Sequence, residues 1–153
     1  MLLLALAAPL AQGATVCRLV GGGAMAFGPY DYFSNAPKDS QTTVTVTCDR
    51  DAGPPSVTLT MRIDEGINGS SVSTRRMRHT GGSGDTLGYG LYRDVARSGV
   101  WGTTDTVDTV STTLVVPNKG SASANFTIYG RIPVRQDVSA GNYTDSVQIT
   151  ILY

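Results

Sequence analysis

The chain has 153 residues, the usual size of one domain, and its twelve basic and twelve acidic side chains cancel. That balance excludes the basic excess by which a nucleic-acid surface is recognised, so no nucleic-acid partner is expected. Eighteen glycines among abundant Ser and Thr suit a turn-rich β protein with solvated strand faces.

Residues 1–13 (MLLLALAAPLAQG) form an apolar run too short to span a bilayer. Ala11-Gln12-Gly13 fits a signal-peptidase site with Ala14 as the first mature residue. No Lys or Arg opens the run, so the true start is expected upstream of Met1. The competing reading is a buried N-terminal strand or helix. On the signal reading, residues 1–13 are removed and 14–153 form the one mature domain. Export leads to an oxidising compartment, where the two cysteines, Cys17 and Cys48, are expected as a disulfide rather than as separate buried thiols. Closing a loop of about thirty residues would stabilise the fold by about 3–4 kcal/mol in the chain-entropy model. A metal site would need more ligands, and His79 is the only histidine.

Strand signals recur along the chain, separated by turn residues. Thr43 to Cys48 alternates, with the apolar face carrying the cysteine, so its sulfur is expected in the core. Asp49 to Pro55 reads as a turn. Ser56 to Ile63 alternates again, with Val57, Leu59, Met61 and Ile63 facing inward. Residues 64–85, rich in Gly, Ser and Arg, read as a long hairpin or loop. Within them lie Arg75-Arg76-Met77-Arg78, read as a solvated loop rather than a contact for an anionic polymer, and His79, read as a surface-loop residue rather than a general base. Leu87, Tyr89 and Leu91 share one face, and Leu91 to Arg97 has room for one turn. Trp101 beside Val100 and Gly102 reads as a core or sheet-edge anchor rather than a ligand platform. The pairs Asp49/Asp51 and Asp105/Asp108 read as turn residues rather than catalytic acids or calcium ligands. Thr112 to Val116 and Ala124 to Tyr129 are further strands around the turn Pro117 to Gly120. Asn68, Asn125 and Asn142 match the glycosylation pattern, which is frequent by chance in a Ser/Thr-rich chain.

The last strand, Tyr143 to Tyr153, has Tyr143, Val147, Ile149, Ile151 and Tyr153 on one face and Thr144, Ser146, Gln148 and Thr150 on the other. A long terminal strand needs a neighbour, or it leaves unpaired N–H and C=O groups. About seven short strands without a sustained 3.6-residue period indicate an all-β sandwich. No phosphate loop, nucleophile elbow or Ser/His/Asp set is present, so no enzyme, cofactor or small-molecule substrate is expected.

Several segments in order resemble the spore coat protein U domain family, which includes subunits of archaic chaperone–usher pili. They are Met25-Ala-Phe27-Gly28-Pro-Tyr30-Asp31, Val44-Thr-Val46-Thr-Cys48 and Leu87-Gly-Tyr89-Gly-Leu91-Tyr92-Arg93-Asp94-Val-Ala-Arg97. They continue with Val100-Trp101-Gly102, Tyr129-Gly130-Arg131-Ile132-Pro133 with Gln136, and Gly141-Asn-Tyr143-Thr-Asp145-Ser-Val147. The resemblance covers nearly all of 14–153 and implies an immunoglobulin-like sandwich lacking its final strand, as in pilin subunits. It further implies a hydrophobic groove lined by Val147, Ile149, Ile151 and Tyr153 on one side and by Val16 and Leu19 on the other. Phe27, Gly28, Tyr89, Tyr92, Arg93, Asp94, Trp101, Gly130, Tyr143 and Asp145 carry the family pattern as structural residues.

The implied partners are a periplasmic chaperone, an outer-membrane usher and neighbouring pilus or coat subunits. The implied location, reached through the periplasm, is the cell surface, a pilus or the extracellular space. Cleavage after Gly13 would leave only Ala14, Thr15 and Val16 before Cys17, too short for a donor strand, so a recipient-only subunit at a tip or cap is expected. The alternative is a free-standing coat or adhesion module whose sandwich completes itself.

Overall fold

The computed structural model describes residues 15–153. The expected signal peptide, 1–13, lies outside the described residues. Nine strands follow in order: β1 (Thr15–Gly21), β2 (Lys38–Arg50), β3 (Ser56–Ile63), β4 (Arg75–His79), β5 (Thr86–Tyr92), β6 (Val110–Val115), β7 (Gly120–Ile132), β8 (Tyr143–Thr144) and β9 (Ile149–Leu152). They form two antiparallel sheets, a larger one in the order β1-β2-β7-β5-β4-β8 and a smaller one in the order β6-β3-β9. The all-β sandwich is the architecture expected from the alternating segments.

The β2–β7 ladder is the spine of the larger sheet, in unbroken register from Lys38↔Ile132 to Arg50↔Gly120. Period-two alternation sorts its faces. Val44, Val46, Cys48, Phe126 and Ile128 are buried between the sheets with Leu59, Met61 and Ile63 of β3. On the outer face Thr45 donates to Asn125, and Thr47 pairs with Ser123. Burying a Val, Leu, Ile or Met side chain contributes about 1.5–3 kcal/mol, so this inner layer is the main source of stability. The sequence signal for β2 begins at Thr43, but the strand starts at Lys38, because Lys38, Asp39, Ser40 and Gln41 are polar on both faces and hide their alternation.

The stretch 64–85 contains a hairpin, with β4 paired to β5 from Arg75↔Tyr89 to Arg78↔Thr86. The terminal strand differs from the continuous one expected. Its first residues, β8, pair with β4 through Arg78↔Thr144 and His79↔Tyr143. Residues 145–148 then cross to the smaller sheet, where Ser146 and Gln148 carbonyls accept from Ile67 and Asp64 amides. Only β9 joins β3, from Thr60↔Leu152 to Ile63↔Ile149. The alternation is kept through the crossing, so Val147, Ile149 and Ile151 still pack on the core.

The two sheets are laced together along one side. Tyr92 bridges Val100 at the β5 edge, and the Trp101 amide donates to Leu91 O. One residue on, Gly102 O accepts from the Ile63 amide on the smaller sheet. Trp101 is buried there as expected, with Nε1 donating to Met61 O at 3.0 Å. The turn after β5 forms where the sequence left room for one, with the Asp94 carboxylate accepting from the Ser98 and Gly99 amides.

Candidate functional site

The larger sheet ends at β1 and the smaller at β9, each a strand with one neighbour. β1 pairs only with β2, and β9 only with β3. Each presents a free row of main-chain groups, a template for another strand. Apolar side chains line the two edges. Leu19 is 46% exposed and Val20 50%, while Leu152 and Tyr153 are 37% and 58% exposed. Residues 146–153 carry no charge. One ion pair joins Arg18 to Asp49 on the outer face of β1 and β2, and another joins Asp105 to Arg62, which lies opposite Thr150 of β9.

Each expected groove residue has a definite place. Val147, Ile149 and Ile151 point into the sandwich, half-buried and packed on its core. Tyr153 is exposed beyond the last bonded pair. On β1 the inward face is set by Cys17, which lies opposite Cys48 and is bridged to it. Alternation puts Leu19, opposite the buried Val46, on the same face as Cys17. Val16 shares the outer face with Arg18.

The family-pattern residues make contacts elsewhere in the sandwich. Tyr89 Oη donates to Asp145 Oδ2 at 2.6 Å, and the Asn68 amide nitrogen and Nδ2 donate to Asp145 Oδ1 at 3.3 and 2.8 Å. Burial first, and the bond to Asp145 second, push the Tyr89 hydroxyl well above the ordinary tyrosine range, so it stays a donor. Gly130 is buried against Met25 and Phe27, and a Cβ there would overlap the Met25 sulfur and the Phe27 ring. Phe27 in turn meets Tyr89 edge-on at 6.1 Å. Gly28 has φ +71°, in the left-handed region that favours glycine. Tyr143 donates to Ser139 O at 2.7 Å. Asp94 is held below the usual carboxylate range chiefly by the Ser98 and Gly99 amides. Arg93 and Tyr92 flank the same turn, where the Arg93 amide donates to Gly99 O at 2.9 Å.

Arg75 corrects the expectation of a solvated basic loop. It is 1% exposed, and its guanidinium donates to four carbonyls, those of Asp64, Val72, Ile63 and Trp101, at 2.8–2.9 Å. Burial lowers its affinity for the proton. No alternation or motif marks such a residue, because its partners are main-chain carbonyls drawn from three separate parts of the chain. His79 is likewise not in a loop but at the end of β4, with Nε2 3.2 Å from Ala140 O and Nδ1 accepting from the Gly81 amide. Asp49 and Asp105 pair with Arg18 and Arg62, and Asp108 accepts from the Thr104 amide. Among the described residues, no group of three or more His, Cys, Asp or Glu is placed to hold a metal ion.

Residues 3–150 match the family described as Spore Coat Protein U domain. Over 84 residues the chain is 36% identical to Protein U of Myxococcus xanthus, covering 55% of this chain and 43% of that protein. Among solved structures it superposes with TM-score 0.60 on the CsuC–CsuE chaperone–tip adhesion subunit pre-assembly complex from archaic chaperone–usher Csu pili of Acinetobacter baumannii. That match is 16% identical and covers 92% of this chain and 40% of the other, so it bears on fold alone. The chain spans less than half the length of either relative.

Proposed function

The chain belongs to the spore coat protein U domain family, and on that premise we propose that it is an exported structural subunit completed by a strand from another protein. The family is a structural one rather than a family of enzymes. The supporting observation is the pair of edge strands β1 and β9, each with one neighbour and each carrying exposed apolar side chains. A strand laid between them gains main-chain bonds and seats alternate side chains against Leu19, Ile149 and Ile151, with Val147 and Tyr153 at its ends and Val16 flanking it outside.

A periplasmic chaperone is the first partner in this reading, an outer-membrane usher the second, and neighbouring pilus or coat subunits the last. The solved relative, caught with a chaperone before assembly, supports that order. The Cys17–Cys48 bond fits passage through an oxidising compartment and onward to the cell surface. The finer reading is a recipient that does not donate, at a tip or cap. It rests on cleavage after Gly13.

Periplasmic expression with and without a chaperone of this class tests the reading. The expected result is a stable 1:1 complex, with little soluble protein otherwise. A stable soluble monomer without the chaperone overturns it in favour of a self-completed coat or adhesion module. Mixing with a polymerising relative tests the recipient role, which extension at both ends overturns.

A further inference from the structure

A second concavity lies apart from the two open edges, at the end of the sandwich where the β4–β5 hairpin rises past β7. It has a volume of about 1000 Å³ and is walled by residues 25–30 and 32 on one side and by residues 136 and 138–144 on the other. Met77, Leu87 and Ile132 form its floor. We propose that this cleft binds a neutral oligosaccharide.

Not one residue lining the cleft is charged, although the chain carries twenty-four charged side chains overall. A charged ligand would lose its water there and find no charged side chain among the lining residues. Neutral lining calls for a neutral ligand. The aromatic rings are held in position before any ligand arrives. Tyr30 Oη accepts from the Gln136 amide at 2.7 Å, and Tyr143 is fixed both by its bond to Ser139 O and by edge contact with His79 at 5.1 Å. At the mouth, Tyr32 is 38% exposed and meets Phe33, itself 80% exposed, edge-on at 5.3 Å.

These two aromatics are outward by construction. The Phe33 amide donates to Asp31 Oδ1 at 2.9 Å, the Ala36 amide to Ser34 Oγ at 3.2 Å, and Arg135 anchors Asn35. The turn is thereby ordered without burying them. Two polar side chains at the rim, the Tyr32 hydroxyl and the Asn142 amide, make no hydrogen bond among the described residues. An aliphatic ligand would make no use of them. A saccharide uses both features: its C–H faces lie on the rings, and its hydroxyls meet the free amide and hydroxyl. The volume leaves room for more than a single sugar ring.

The test is binding of the folded chain, recovered alone or with a bound chaperone, to an immobilised panel of neutral, sialylated and sulfated oligosaccharides. Binding to a subset of the neutral members is expected, and Tyr32→Ala and Asn142→Ala should each weaken it by about tenfold or more at unchanged Tm. Binding to acidic members only, to no member, or with equal affinity by both variants overturns the proposal. Thr150→Asp, on the exposed face of the β9 edge, should leave saccharide binding unchanged. Its loss in that variant would also overturn the assignment to this cleft, whatever becomes of chaperone capture.

Discussion

Tyr89 on β5 and Asp145 in the β8–β9 crossing are joined by a hydrogen bond of 2.6 Å that ties the larger sheet to the strand bordering the open edge. Asp145 lies four residues before Ile149, so this bond sets where β9 begins its descent along β3. Tyr89→Phe should cost about 1.5–3 kcal/mol, the range for a hydrogen bond to a charged group, read as a lower urea midpoint at unchanged slope. Asp145→Ala also frees the two Asn68 bonds and should cost more.

The open edges make an asymmetric prediction along β9. Ile149→Asp or Ile151→Asp puts a charge on the inward apolar face and should abolish chaperone capture. Thr150→Asp, on the exposed face between them, should leave capture intact. Equal co-purification of all three would remove β9 from the binding surface.

Arg75 is predicted to resist its conservative replacement. Its planar fork satisfies four carbonyls from three parts of the chain, and a lysine has three donors on a flexible stem. Arg75→Lys should therefore cost about 2–4 kcal/mol in equilibrium unfolding.

The crosslink is predicted to matter for stability. Cys17 and Cys48 enclose a separation of 31 residues, for which loop entropy gives about 3–4 kcal/mol. Replacing both by Ala should lower the denaturant midpoint accordingly and cut periplasmic yield. Equal midpoints for the wild type with and without reductant would contradict this.

Acid should weaken the fold through a small set of carboxylates. Asp39 is held below the usual range first by its hydrogen bond to Arg131, and Asp85, Asp94 and Asp105 are lowered by their own partners. A depressed folded value means the stabilisation is complete above the ordinary aspartate value of about 4 and is lost as pH falls through the folded values. Asp39→Asn should flatten that acid limb in thermal melts taken from pH 5 downward.

Much of this was legible where alternation is clean. Thr43 to Cys48 and Ser56 to Ile63 announce their inward faces, and the cysteine on the first of them points to the core where its bond lies. Trp101 was readable as an anchor from its apolar and glycine neighbours. What stayed hidden depends on pairing between distant segments. Lys38 to Gln41 is polar on both faces and becomes strand only because β7 extends alongside it. Arg75 looks like a surface cation until four main-chain carbonyls converge on it. The change of partner at Ser146 leaves the alternation of the last eleven residues intact, so periodicity alone cannot reveal it. The aromatic cleft is likewise assembled from segments about a hundred residues apart, as in the Tyr30–Gln136 bond.

The β2–β7 ladder has a kinetic meaning as well as a structural one. Its cross-strand partners, such as Thr47 with Ser123 and Asp39 with Arg131, are 76 to 92 residues apart in the chain. The spine of the larger sheet therefore cannot close until most of the polypeptide has been delivered, and pairings this remote belong to the slow, millisecond-to-second class of folding reactions. During that interval the apolar faces of β2 and β3 have no lid. On the proposed export route, a chain that must wait for its own far end has a use for an escort from the first moment of arrival, well before any question of assembly arises.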